Sequence, residues 1–308
     1  MSGNDKLRGL LRFAAGALAV VMVIVLARAM RRDGPAALDA WRAAHVQWRW
    51  VVLSVVCGFT GHAFYVAGWR RLLKDVSVHS SFWSLVRIFL VSNLGRYLPA
   101  AKAWQMGIVA MMAAEYRLPA TLVAGSSLIQ GIVGTGVGAL VLFASGGTVI
   151  GISSAWLLLS VVGFAVLLAA PRAIRISSRI HGFVAQRVSG IESVTAATMW
   201  TLIWTAAASW VLWGIALYCL AIALLPAPGA SLSAYIAAWT GSFLAGIIAV
   251  VSPAGLGARE GMMQAVLSAA GVQASEVLVL VIVTRAWVTV LDVVPAVIVL
   301  LTRRKLRK

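Results

Sequence analysis

The sequence predicts an all-α polytopic membrane protein with about six spanning helices and two broken re-entrant hairpins in an inverted repeat. The first observation is compositional: the 308 residues are 61% hydrophobic and only 11% charged, whereas soluble domains carry about 25% charged residues. The second is that apolar residues form runs of about 20, the length that crosses a bilayer. The third is that two further runs are interrupted by proline and glycine. Together these observations exclude a soluble enzyme.

Six uninterrupted apolar runs are predicted to span the membrane, at residues 10–29, 50–69, 118–145, 149–170, 196–225 and 276–301. Within the first run, the apolar stretch 13–26 follows Lys6, Arg8 and Arg12 and resembles a secretory signal peptide. Since the chain begins at Met1 with this run in place, we expect it to be retained as a first spanning helix.

Two apolar regions are broken near their middle. Region 81–116 contains Gly95 and Pro99, and region 233–271 contains Pro253, Gly255 and Gly257. Proline and glycine interrupt helical hydrogen bonding, and such backbone is tolerated at membrane depth only when it is buried in protein or lines a wet cavity. Each region is either two full spans or one re-entrant hairpin. We favour hairpins, with these five residues as the hinges.

The chain is predicted to divide into two membrane repeats. Residues 1–170 form the first repeat, with spans around the hairpin 81–116. Residues 171–195 form a cytoplasmic amphipathic linker, and residues 196–308 form the second repeat, with a span, the hairpin 233–271, a span and a basic tail. Pro99 and Pro253 lie half a chain length apart. Inverted repeats with broken helices are typical of transporters.

Basic residues predict the orientation in the membrane. The chain has 26 Lys and Arg against 9 Asp and Glu, a formal charge of +17. Clusters at the N-terminus, after the second span, in the linker and in the tail all fall on one side, which the positive-inside rule makes cytoplasmic. The basic segment 28–49 opposes this assignment. We predict a bacterial inner-membrane protein with both termini cytoplasmic, and no nucleic-acid partner because no such motif is present.

Cations beside both breaks are the first candidates for a functional site. A cation buried in the membrane costs about 2.5–3.5 kcal/mol on insertion scales, so it is expected to pair with a carboxylate or to bind an anion. Lipid phosphates are such anions, and arginine offers them a planar pair of donors. The predicted substrate-binding residues are Arg96, Lys102, Arg259, Tyr97, Trp104 and Asn93.

The alternative role for charged residues is structural pairing or ion coupling. Arg259 precedes Glu260 directly and is a candidate for one half of a buried ion pair. Arg285 and Asp292 lie two turns apart on one helix face and are candidates for pairing across helices. Glu260 or Asp292 is also a candidate carrier of a coupling proton. No nucleophile, zinc or dinucleotide motif is present. We therefore expect no catalytic residue, no metal and no cofactor, with a lipid-modifying enzyme as an open alternative.

The segments LGRYLPAAKAWQ (94–105) and SPAGLGAREG (252–261) resemble the signature segments of the flippase-like family, also called the lysylphosphatidylglycerol synthase transmembrane-region family. The same domain forms the membrane half of the multiple peptide resistance factor. The resemblance covers roughly residues 10–300. It implies translocation of lipid-linked sugars or modified phospholipids between leaflets. Since the aminoacyl-transferase domain is not found, we expect the chain not to make lysyl-lipid.

The sequence departs from the family pattern at two places. Ala100 and Ala101 stand where a glycine is expected before the lysine, and Gln130 stands where an acidic residue is common. The first departure alters the turn at the break. The second puts a carboxylate role at that position in doubt.

Our sequence-based hypothesis is a lipid translocase that moves an anionic or polyprenyl-phosphate-linked headgroup between leaflets of the inner membrane. The alternative is a non-transporting membrane scaffold that presents lipid to a separate glycosyltransferase or synthase. The expected partners are a membrane phospholipid or lipid-linked sugar and, in either case, such an enzyme. A homodimer is open, since the small-residue helix faces suit it as well as internal packing.

Overall fold

A computed structural model of the protein describes residues 46–97, 101–146, 194–249, 255 and 257–303. All regular elements in these segments are helical. In chain order they are α1 (Trp48–Asp75), α2 (Phe82–Asn93), a 3-10 helix (Leu94–Tyr97), α3 (Ala101–Glu115), α4 (Ala120–Gly146), α5 (Ala196–Leu224), α6 (Leu232–Ile248), α7 (Ala258–Ala269) and α8 (Ala274–Arg303).

Four of these helices, α1, α4, α5 and α8, are long and apolar enough to cross a membrane. They have 27 to 30 residues, which at 1.5 Å per residue is about 40–45 Å and exceeds the hydrocarbon core of about 30 Å. The predicted polytopic all-α membrane fold is confirmed. The predicted spans 10–29 and 149–170 and the linker up to residue 193 lie outside the described residues.

The two broken regions each form a pair of short helices. Helices α2, α3, α6 and α7 have 12 to 17 residues, so each is only about 18–26 Å long and falls short of the hydrocarbon thickness. Within each region the two short helices pack against each other. This is the geometry expected of hairpins whose arms do not cross the membrane singly.

A serine begins the first arm of each hairpin. The Ser81 side chain accepts a hydrogen bond from the Ser84 backbone N–H, and the Ser231 side chain accepts one from the Ala234 N–H. Serine favours this N-cap position because its oxygen satisfies an N–H that has no partner within the helix. The same capping chemistry therefore defines the start of both hairpins.

The described helices of the two halves follow the same order: long, short, short, long. The first helices of the two halves, α1 and α5, pack closely along each other. Glycine makes this approach possible, because a Cβ at Gly61 would lie 2.9 Å from the Trp213 ring. Interfaces of small residues against large ones are typical of membrane helices. The opposite orientation of the two halves and the boundaries of the repeats stay predictions.

Helix α8 has one lipid-facing side and one side facing the protein. Val290, Val294, Ile298 and Leu301 are exposed at a spacing of three to four residues, whereas Asp292 is 1% exposed. In water such an apolar stripe would be unfavourable, but in a bilayer it contacts hydrocarbon. The arrangement fits a multi-pass protein whose polar side chains turn inward.

Candidate functional site

Helix α8 connects the two hairpins. It packs against α2 of the first hairpin and against α7 of the second. Two of its ionised side chains, Arg285 and Asp292, are directed to different hairpins, although they lie only two turns apart. All the charged residues that the sequence placed near the breaks and that the structure describes are found around this helix or on the facing arms.

Asp292 binds three side chains of the first hairpin. Its Oδ2 lies 3.1 Å from Nη1 of Arg96 and accepts a hydrogen bond of 2.9 Å from the Tyr97 hydroxyl, while its Oδ1 accepts one of 3.3 Å from Nδ2 of Asn93. Arg96 in turn donates from Nη2 to Oδ1 of Asn93 at 2.9 Å. The carboxylate is thereby paired and hydrogen-bonded, which a buried charge requires.

The 3-10 helix places Arg96 and Tyr97 beside Asp292. It continues α2 directly and crosses α3 at very short range, because a Cβ on Gly95 would lie 2.7 Å from the backbone nitrogen of Gln105. Only glycine fits this crossing without a backbone shift. Gly95 thus acts as a close-approach residue, and its predicted role as a hinge stays a prediction.

Glu260 has two partners. Its Oε1 lies 3.6 Å from Nη1 of Arg285 on α8, and its Oε2 accepts a 2.5 Å hydrogen bond from the backbone N–H of Gly257. Gly257 has a φ of +82°, a conformation that glycine adopts at little cost. The carboxylate therefore both caps the start of α7 and ties that helix to α8.

Arg259 differs from its neighbours. Its residue surface is only 8% exposed, and its Nε is a buried donor with no hydrogen-bond partner among the described residues. Its guanidinium carbon lies 4.9 Å from the ring centre of Phe243 and 5.7 Å from that of Trp239. Cation–π contact stabilises the charge but supplies no acceptor for the Nε–H. Within the described part of the chain no carboxylate lies within ion-pair distance of it.

Arg259 is accommodated by two glycines. A Cβ on Gly246, near the end of α6, would lie 2.7 Å from Cγ of Arg259, and one on Gly255 would lie 2.6 Å from Cα of Gly246. Gly255 also has a φ of +68°. Gly246 and Gly255 therefore lie closely against the arginine side chain, and the predicted hinge role of Gly255 stays a prediction.

The two hairpins meet at Phe243. The guanidinium carbon of Arg96 lies 5.8 Å from the ring centre of Phe243, the same ring that Arg259 contacts. Both guanidinium groups therefore lie close to the same aromatic ring. Arg96 and Arg259, which the sequence assigned to separate breaks, belong to one site.

A small cavity opens next to Arg259. Its volume is about 20 Å³, enough for one or two water molecules. The polar residues lining it are Ser242, Arg259, Glu260, Thr284 and Arg285. The hydroxyl of Thr284 is buried and, among the described residues, also lacks a hydrogen-bond partner. The cavity therefore offers unpaired donors to a ligand that carries acceptors.

The structure pairs Arg285 and Asp292 across helices, each with a different partner. The sequence indicated that both residues could pair across helices, and that Arg259 beside Glu260 could form one half of a buried ion pair. Arg285 pairs with Glu260, and Asp292 pairs with Arg96. The reason is that α8 lies between the hairpins, so residues two turns apart on it face different arms.

The remaining predicted site residues fall into two groups. Trp104 is 52% exposed on α3 and has no hydrogen bond or ring contact with the cluster in the part of the chain that the structure describes. The side chain of Lys102 and all of Pro99 and Pro253 lie outside the described residues, so their predicted roles stay predictions. Gln130, where an acid was expected, donates from Nε2 to the Tyr65 carbonyl at 3.1 Å and joins α4 to α1.

Sequence reasoning missed the aromatic and hydroxyl side chains of the site. Trp239 and Phe243 lie four residues apart on α6 and therefore on one helix face, directly before the second break. That spacing was the available signal. Thr284 had none, since a threonine in a spanning helix ordinarily bonds to its own backbone.

The comparisons with known proteins agree with this architecture. A family model described as the lysylphosphatidylglycerol synthase TM region matches residues 10–296 of the chain. The comparison with curated proteins gave no match.

Proposed function

The chain belongs to the lysylphosphatidylglycerol synthase TM region family, and from that premise we propose that it is a translocase for lipids with an anionic headgroup. In this proposal the headgroup phosphate binds in the cavity between α7 and α8. The acyl or prenyl tails stay in the surrounding hydrocarbon. The protein provides a charged path for a group that would otherwise cross about 30 Å of apolar medium.

The observation that carries the proposal is the state of Arg259. It is a buried cation with an unpaired donor at a cavity, and no described carboxylate pairs with it. An isolated buried charge is strongly unfavourable, so such a residue is retained where a ligand anion completes it. Arginine also gives phosphate two parallel hydrogen bonds. Arg96 and Arg285 are less suited to the first contact because each is already paired.

Opening of the cavity is the conformational step in this mechanism. The present volume holds water but not a phosphate group, so α7 and α8 must separate for the headgroup to enter. The Glu260–Arg285 pair joins these helices and, at 3.6 Å, is the contact that lengthens first. The Arg96–Asp292 pair holds α8 to the first hairpin during this step. Alternating separation of the two hairpins from α8 would expose the site to one leaflet and then the other.

The proposal places the protein in the bacterial inner membrane with both termini cytoplasmic, as the basic flanks indicate. It assigns no catalytic residue, and the chain moves lipid without modifying it. A glycosyltransferase or lipid synthase is the natural source or consumer of the cargo. A homodimer is compatible with it.

Transbilayer movement in proteoliposomes tests the proposal. The purified protein is reconstituted with phosphatidylglycerol, and the fraction of lipid that a membrane-impermeant headgroup reagent reaches is followed over time. We expect the wild type to make the inner-leaflet lipid accessible, and Arg259→Gln to slow this by about tenfold, the effect of losing one charged hydrogen-bond pair.

Arg71→Gln is the matched control. Arg71 lies near the end of α1, its side chain is 40% exposed, and its pair with Asp75 spans 3.7 Å, so its loss should leave the rate unchanged. No acceleration over protein-free liposomes would reject translocation. That result, together with co-purification of a glycosyltransferase or synthase, would favour the scaffold.

A further inference from the structure

The charges around the cavity nearly cancel. Among the described side chains, three arginines (Arg96, Arg259 and Arg285) and two carboxylates (Glu260 and Asp292) converge on α8 and the facing hairpin arms. Each carboxylate pairs with one arginine. One positive charge, that of Arg259, is left without a partner.

The unpaired donors point to the same ligand. Arg259 and Thr284 both line the cavity, and the Nε–H of Arg259 and the hydroxyl of Thr284 are buried donors without an acceptor among the described residues. A phosphodiester has two non-bridging oxygens that share a single negative charge. The two donors therefore match the two non-bridging oxygens, and the positive charge of Arg259 matches the single negative charge of the phosphodiester.

Resting on the proposed function, we propose that the cavity selects lipids whose headgroup is linked by a single phosphodiester and carries no other charge. Phosphatidylglycerol and a sugar joined to a prenyl chain through one phosphate belong to this class. The selective feature is the pairing of Glu260 with Arg285 and of Asp292 with Arg96, which leaves Arg259 as the single receptor.

Other charge types fit less well. A phosphomonoester carries −1.5 to −2 charges at neutral pH, and a diphosphate carries at least two, so either would bring unbalanced negative charge into a dry site. A zwitterion such as phosphatidylethanolamine brings an ammonium group, which needs a free carboxylate. Both described carboxylates of the site are already paired.

A lipid series with graded charge tests the selectivity. Native mass spectrometry of the purified full chain gives apparent dissociation constants for phosphatidylglycerol, phosphatidic acid, a polyprenyl diphosphate and phosphatidylethanolamine. We expect phosphatidylglycerol to bind about tenfold more tightly than the other three, because unbalanced charge at a buried site is unfavourable. Tighter binding of phosphatidic acid or the diphosphate would overturn the inference.

A charge-changing variant makes the test sharper. Glu260→Gln removes the carboxylate that pairs with Arg285 and raises the net charge of the cluster by one. The glutamine oxygen can still accept the Gly257 N–H, because both residue types serve in this capping position. The preference should shift by about tenfold toward phosphatidic acid. The double variant Glu260→Gln/Arg285→Gln also removes the positive charge of Arg285. It should restore the preference for phosphatidylglycerol.

The outcomes separate this inference from the proposed function. If Glu260→Gln leaves the order of affinities unchanged while Arg259→Gln still slows translocation, charge selection is wrong and the translocase stands. If the wild type neither binds nor moves any of these lipids, the proposed function itself fails. Glycerophosphoglycerol, the same headgroup without tails, distinguishes a free phosphodiester from a lipid. Its binding as tightly as phosphatidylglycerol would overturn the lipid as the ligand.

Discussion

Arg96 and Asp292 lie 196 residues apart in the sequence, and their side chains form an ion pair of 3.1 Å. The carboxylate is 2% exposed and the guanidinium 15%. The pair joins the break of the first hairpin to the last long helix, in the second half of the chain. It therefore connects the two halves at the depth of the candidate site.

Asp292→Asn should be strongly destabilising. The substitution leaves Arg96 as an uncompensated buried cation, and removing one partner of a buried pair typically costs about 3–5 kcal/mol. We expect a marked drop in the thermal unfolding temperature of the purified protein. Arg96→Gln in the same background should recover part of the loss, since it removes the unpaired charge. Purely additive effects of the two substitutions would show that the pair contributes no coupling energy.

Gly95→Ala should disrupt the first hairpin, because the new Cβ would lie 2.7 Å from the backbone nitrogen of Gln105. Relief requires a backbone shift that moves Arg96 away from Asp292. Gly107→Ala on α3 is the matched control, since its Cβ would meet nothing within 4 Å and alanine favours helix by about 1 kcal/mol. Unfolding temperatures should fall for the first and hold or rise for the second. Equal temperatures would contradict the close crossing.

Gly255→Ala should disturb the setting of Arg259. The position has a φ of +68°, which costs a residue with a Cβ about 1–2 kcal/mol, and the Cβ would lie 2.6 Å from Cα of Gly246. We expect reduced translocation in proteoliposomes. Gly261→Ala on α7, where a Cβ meets nothing within 4 Å, should keep the wild-type rate. A wild-type translocation rate for both variants would show that the backbone conformation at Gly255 is not needed for translocation.

Lysine at position 259 should not preserve the lipid affinity that arginine provides. Lysine keeps the charge but loses the guanidinium that contacts the Trp239 and Phe243 rings and its paired donors to phosphate. We expect the lipid affinity of Arg259→Lys to be about tenfold, or about 1.4 kcal/mol, below that of the wild type. It should lie between the affinities of the wild type and of Arg259→Gln. Native mass spectrometry of the three proteins with phosphatidylglycerol gives the comparison. Full activity of the lysine variant would show that only charge matters.

The sequence predicted the membrane class and the broken helices because hydropathy and Pro/Gly breaks are local signals. It also selected Arg96 and Arg259, since a cation in an apolar run is conspicuous. It did not identify the partners of Arg285 and Asp292, because pairing depends on which hairpin arm lies opposite each residue of α8. That is a tertiary relationship, and spacing along one helix does not contain it.

The measurement that tests the central claim most directly is lipid analysis of the protein purified in native lipid. Wild type, Arg259→Gln and Arg71→Gln are compared by mass spectrometry. The account predicts that the wild type and Arg71→Gln retain a lipid with one phosphodiester, enriched over the bulk membrane, and that Arg259→Gln loses it. The same lipid profile in all three proteins, matching the bulk membrane, would contradict a headgroup site at Arg259.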